Sequence, residues 1–93
     1  MHTFTVEWDE RKRQANVEKH GVDFAETDNF DWTTAQTQPD TRRDYGELRW
    51  LAYGLIGDRV HIVIFTMQDE RRRLISLRRA NRREVLAWAG KTG

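Results

Sequence analysis

The stretch RVHIVIFTM, residues 59–67, constrains the fold more than any other part of this 93-residue chain. A strand sends successive side chains to opposite faces, so a strand with one solvated face alternates apolar and polar residues. Here Val60, Ile62, Val63, Ile64 and Phe65 leave no such alternation. Both faces need cover, which makes this a central strand. Its neighbours flank it in sequence. ELRWLAYGLI (47–56) predicts a strand that enters through the tight turn Gly57-Asp58, and RRRLISLRRA (71–80) predicts another, entered through a turn from Gln68 to Glu70.

Upstream, residues 3–8 alternate and are rich in β-branched and aromatic side chains, a strand pattern. Asp9 can cap a helix over 10–19, with Gly21 at the position after its end that favours left-handed backbone. This helix is unusually polar. Lys12, Asn16 and His20 form one stripe along it, and with so few apolar residues some member of that stripe should be partly buried. Asp23 and Glu26 have capping-box spacing for a short helix over 24–30. TTAQTQ (33–38) is a weak strand, followed by Pro39 and the polar loop DTRRDYGE (40–47), which looks mobile or functional. Asn81 and Glu84 repeat the capping-box spacing before a last helix with Val85, Leu86 and Trp88. The order β-α-α-β-β-β-β-α predicts one α+β domain over 1–93. It would be an antiparallel sheet with two N-terminal helices packed on it and a short C-terminal helix.

A chain of this size buries only roughly 60–65% of the surface it exposes when unfolded, so its core is limited. It has no cysteine, so neither a disulfide nor a thiolate metal site can staple it. Its histidines, His2, His20 and His61, are isolated in sequence, and no metal site or cofactor is expected. No apolar stretch approaches the ~18 residues of a membrane span, and no basic-then-apolar leader opens the sequence. A soluble, cytoplasmic domain is the expectation.

Net charge is only +1, but it is unevenly spread. Residues 1–58 hold seven Lys/Arg against twelve Asp/Glu, whereas 59–93 hold nine against three. Seven arginines fall within residues 71–88. Either this segment presents a basic surface to a polyanion, or the two halves neutralise each other across the fold. Arginine grips phosphate oxygens with two parallel hydrogen bonds. On a strand, alternation puts Arg72, Leu74, Ser76 and Arg78 on one face and Ile75 and Leu77 on the other, so that Arg72, Ser76 and Arg78 would form a phosphate-spaced row. Arg71 and Arg72 also fit the role of charged guards on a solvated turn. Arg78 and Arg79 end the strand where a helix begins, and a helix amino end favours anions. Cleaving RNA without metal needs a base for the 2′-hydroxyl, cations for the phosphorane and an acid for the leaving oxygen. Glu, His, Tyr, Lys and Arg can fill these posts, and all are present.

VEWDERKRQANVEKHGVDFAE (6–26) and RRLISLRRANRREV (72–85) resemble the signatures of BrnT-type toxins, the ribonuclease halves of bacterial BrnT/BrnA toxin–antitoxin pairs. The shared pattern runs through Trp8-Asp9, Lys12, Asn16, KHGV (19–22), Phe24, Gly46-Glu47-x-Arg49, Gly54 and Arg59. It continues through Arg73, Ile75-Ser76, Arg78-Arg79-Ala80 and Glu84. The resemblance implies a RelE-like fold and an endoribonuclease that halts translation. It also implies a BrnA-like antitoxin that neutralises the toxin as a hetero-oligomer and carries it to operator DNA. Trp88 departs from the pattern, since a tyrosine is expected there.

The leading expectation is metal-independent cleavage of mRNA. Arg78, Arg73 and Arg49 would hold the scissile phosphate, with Glu47 or His20 for proton transfer. Lys19, Arg59, Ser76 and Arg79 would bind RNA. The rival reading is a non-catalytic module that binds nucleic acid or docks the antitoxin.

Overall fold

The computed structural model describes residues 5–92. His2 and the first two residues of the expected opening strand lie outside that range. A five-stranded sheet organises the chain. Its strands are β1 (Thr5–Glu7), β2 (Gln36–Pro39), β3 (Trp50–Ile56), β4 (Arg59–Gln68) and β5 (Arg71–Arg79), in the spatial order β1-β5-β4-β3-β2. The apolar run sits at the centre, as both its faces require: Ile62 and Val63 are fully buried and point to opposite sides. Helices α1 (Glu10–His20) and α2 (Arg82–Thr92) stand near the two ends, with a 3₁₀ segment (Phe24–Asn29) after α1.

Two expectations need correction. The sheet is mixed, because β1 runs parallel to β5, pairing Thr5 with Arg71 and Glu7 with Arg73. Two-residue turns make β3, β4 and β5 alternate direction, and the β2–β3 loop (40–49) is too short for a crossover, but more than sixty residues separate β1 from β5, and that connection permits either sense. The second N-terminal helix is a six-residue 3₁₀ segment. Asp23 caps it by accepting from the Ala25 N–H at 3.0 Å. Its three-residue turn stacks Phe24 and Thr27 on one side, and both are buried.

One face of the sheet carries the main core: Val22, Phe24, Phe30, Ala52, Val63, Phe65, Leu74 and Leu77. Trp32 stacks on Phe30 and meets Phe65 edge-on. Phe30 lies so close over β3 that a Cβ at Gly54 would come within 2.5–2.8 Å of its ring, so only glycine fits. The other face holds a smaller apolar cluster, Leu51, Ile62 and Ile64, flanked by Tyr53, Ile75 and Ala80.

Helix α1 docks by polar rather than apolar contact. β1 covers the outer edge of β5 only as far as Arg73. Farther along that edge, Asn16 acts as the missing strand: its Oδ1 accepts from the Leu77 N–H at 3.1 Å and its Nδ2 donates to the Leu77 carbonyl at 2.7 Å. Nδ2 also donates to the Val22 carbonyl at 2.9 Å. This is the buried member that the polar stripe predicted. Asp9 and Gly21 cap the helix as expected, the latter at φ 71°.

Candidate functional site

A bulge decides which arginines share a face. Ser76 pairs with Ile64 but Leu74 pairs with Phe65, leaving Ile75 as an extra residue in β5. Alternation therefore breaks there. Leu74 and Leu77 both enter the main core, and the face assignment expected from strict alternation is wrong at this point. Arg72 goes to the core side, where its guanidinium lies 3.9 Å over the Trp32 ring and burial lowers its pKa. Arg73, Ser76 and Arg78 come together on the opposite face, opposite Thr66, Ile64 and Ile62. The row spans about 13 Å at ~3.3 Å per strand residue.

Arginines on this basic face have carboxylate partners. Glu7 lies 3.6 Å from Arg71 and 3.9 Å from Arg73. Arg78 donates through both Nη atoms to Glu84, at 2.8 Å each. Glu84 also closes the predicted capping box, accepting from the Asn81 N–H while Asn81 Oδ1 accepts from the Glu84 N–H. Their pairing raises the pKa of Arg78 and lowers that of Glu84. Of these contacts only those of Glu7 join the acidic and basic parts of the chain, while Glu84 offsets Arg78 from within the basic segment itself.

His20, at the end of α1, reaches the same region. Burial, followed by the nearby charges of Lys19 and Arg78, holds its pKa below the ordinary histidine value. Lys12, Lys19 and His20 line a groove of about 300 Å³ whose floor includes Ile75 and Ser76. Glu47 and Arg49 sit beyond the start of β3. Arg49 Nε donates to Glu47 at 3.0 Å, and the Arg49 guanidinium lies 4.1 Å over Tyr45.

Arg59 and Arg79 are not brought to this face. With His61 they line a separate cleft of about 410 Å³ on the core side, beside Asp23 and Glu26. The register explains it: Arg79 pairs with His61, one step out of phase with Arg78 and Ile62. Sequence reasoning also passed over Tyr53, which pairs with Ile62, the partner of Arg78, and it singled out the 40–47 loop without distinguishing Asp40 and Arg42 within it. Trp88 lies beside Tyr53 in a small pocket that Gln36 and Gln38 complete. The alternation of β3 could have flagged Tyr53; nothing local marked Asp40. No group of three or more His, Asp or Glu side chains able to hold a metal occurs among the described residues. No helix among them is long and apolar enough to cross a membrane.

Comparison with known proteins puts this small α+β domain among the toxins of type II toxin–antitoxin systems. The sequence model for "Ribonuclease toxin, BrnT, of type II toxin-antitoxin system" matches residues 8–84, and the chain belongs to the BrnT family. Among solved structures, the fold is similar to the Brucella abortus ribonuclease toxin BrnT, with a TM-score of 0.68 and 34% identity. That likeness covers 86% of this chain and 100% of the other. No curated protein matches it.

Proposed function

We propose that this chain is a metal-independent, RelE-like endoribonuclease of the bacterial cytoplasm that inhibits translation by cutting mRNA. A cognate BrnA-like antitoxin would neutralise it as a hetero-oligomer and tether it to operator DNA. The observation that carries the reading is the bulge at Ile75, which gathers Arg73, Ser76 and Arg78 on one face, with His20 near enough to feel the charge of Arg78.

In the proposed reaction His20, neutral at pH 7, takes the proton of a ribose 2′-hydroxyl. The 2′-oxygen bonds to phosphorus, the bond from phosphorus to the 5′-oxygen breaks, and Tyr53 gives that oxygen a proton. The products are a 2′,3′-cyclic phosphate and a 5′-hydroxyl. Arg78 neutralises the phosphorane, with its Nε–H left over by the Glu84 pairing. Arg73 and Arg49 hold flanking phosphates, and Lys19 adds charge beside His20. Glu47, tied to Arg49 in the loop, has less support as the base than His20.

The non-catalytic reading draws on one observation, that Glu84 already fills the end-on fork of Arg78. A defined single-stranded RNA incubated with antitoxin-free protein in excess EDTA separates the two. Discrete fragments from wild type, reduced about 10²–10³-fold by Arg78→Ala, are expected for an enzyme that uses this cation in its transition state. Intact RNA, bound in a salt-dependent way, would favour the binding module.

A further inference from the structure

The loop between β2 and β3 contains an arrangement that loop connection alone does not need. Asp40 follows β2 directly, and its N–H donates to the Arg49 carbonyl at 2.7 Å, continuing the β2–β3 ladder by one residue. This register puts Asp40 on the basic face, in phase with Gln38 and Leu51. Its side chain is 0% exposed, whereas that of its partner Arg42 is 53% exposed. Arg42 Nε donates to Asp40 Oδ1 at 2.8 Å and Nη2 donates to Oδ2 at 2.9 Å. The Arg42 N–H adds a third bond, to Oδ1 at 3.2 Å.

A buried carboxylate is costly unless it is fully satisfied. Here that burial fixes the plane of one exposed guanidinium. The side-on grip through Nε and Nη2 leaves the Nη1/Nη2 edge, the fork that binds a phosphate bidentately, beside the Tyr45 side chain, which also interacts with both Asp40 and Arg42. Arg42 is also close enough for its charge to act on both Arg78 and Glu84. Bringing two guanidiniums together is unfavourable on its own, and an anion between them reverses that sign.

We propose that Arg42 is a further phosphate-binding residue of the RNA site and that Asp40 is its positioning residue. The inference rests on the ribonuclease reading. Arg42 and Arg78 then approach one phosphate from different elements, the β2–β3 loop and the end of β5. The alternative is a staple that only shapes the loop.

The test uses the full chain freed of antitoxin, a cleavable single-stranded RNA, and the same RNA with 2′-O-methyl riboses to measure binding without turnover. Arg42→Gln should lower kcat/KM by about 10²–10³-fold. For the uncleavable RNA it should reduce the slope of log K against log salt by about 0.7, the loss of one phosphate contact to a single strand. Asp40→Asn, which loosens Arg42 without removing its charge, should lower kcat while leaving that slope in place. Because Arg42→Gln strands a buried carboxylate, the double variant Asp40→Asn/Arg42→Gln is the control for folding: it should recover thermal stability and stay as slow as Arg42→Gln. Recovery of activity along with stability would make the pair a loop staple and overturn the proposal. So would an Arg42→Gln rate within about threefold of wild type. If wild type itself leaves the RNA intact, the ribonuclease reading fails, and the salt slope alone decides Arg42, an unchanged slope refuting it.

Discussion

Replacing Asn16 with alanine tests how α1 is held. The side chain is 6% exposed and makes three hydrogen bonds, to the Val22 carbonyl and to both backbone groups of Leu77. Alanine keeps the helix, since it is the best helix former, so the perturbation falls on those bonds alone. The Leu77 N–H faces an edge that β1 does not reach, and Asn16, at the inner wall of the groove beside Lys12 and His20, covers it. Each buried group left without a partner costs about 1–3 kcal/mol. Three groups, partly relieved by relaxation, give a loss of about 3–5 kcal/mol. The whole domain is held by about 5–14 kcal/mol at the usual 0.05–0.15 kcal/mol per residue. The melting temperature should therefore fall by about 12–40 °C, at ~4–8 °C per kcal/mol for a domain this size. Urea titration followed by circular dichroism reads the same loss as a lower midpoint at constant slope. Asn16→Asp should cost at least as much, because it keeps an acceptor for the Leu77 N–H but sets a carboxylate against two carbonyl oxygens. If Asn16→Ala melts within about one kcal/mol of wild type, the hydrogen bonds do not hold the helix, and its docking must come from elsewhere.

Other predictions follow from single contacts. Gly54→Ala should destabilise by about 1–3 kcal/mol, since its Cβ meets the buried Phe30 ring; pairing it with Phe30→Leu should recover part of that loss in a thermal melt. His20 has a pKa below the ordinary histidine value of 6.5, so its neutral form persists to lower pH. The acid limb of kcat/KM should therefore bend below that value, and His20→Gln should abolish the bend; a bend that survives assigns the base elsewhere. Protonation of His20 opposes folding as well, so stability from this residue is lost as pH falls below 6.5. Asp40, whose pKa the Arg42 guanidinium pulls down to about 2, supports stability that is complete above its ordinary value of 3.8 and lost between there and about 2. Arg79→Ala should leave cleavage within about threefold of wild type, because its side chain lies on the core side of the sheet; a larger loss would mean that RNA reaches around the edge of β5.

Pairing between internal charges changes how the arginine-rich segment works. Hydrogen bonds of Arg78 with Glu84, Arg49 with Glu47 and Arg42 with Asp40 hold these guanidiniums in place before any anion arrives, while Glu7 only offsets the charge of Arg71 and Arg73 from 3.6 and 3.9 Å. Such pairing limits the long-range field of the free protein and orients the donors, which favours recognition at contact over attraction at a distance.

What residues a few positions apart can settle was legible in the sequence. The apolar run of β4 required a central strand, Asp9 and Gly21 bounded α1, and Asn81 with Glu84 opened α2 as a capping box. Each depends on the periodicity of one segment or on hydrogen bonds within a single turn. Of the candidate site, the shared face of Ser76 and Arg78 followed from strand alternation, whereas Arg59 and Arg79 lie on the other side of the sheet. Only tertiary structure could decide the rest. Arg73 and Arg78 are an odd number of residues apart, so strict alternation would put them on opposite faces. The extra residue at Ile75 brings them together, and its place is set by pairing with β4 rather than by anything in β5 itself. The parallel pairing of β1, the strand-like role of Asn16 sixty-one residues from Leu77, and the presentation of Arg42 by Asp40 have the same origin. Each depends on which segments meet in space, and local chemistry does not carry that information.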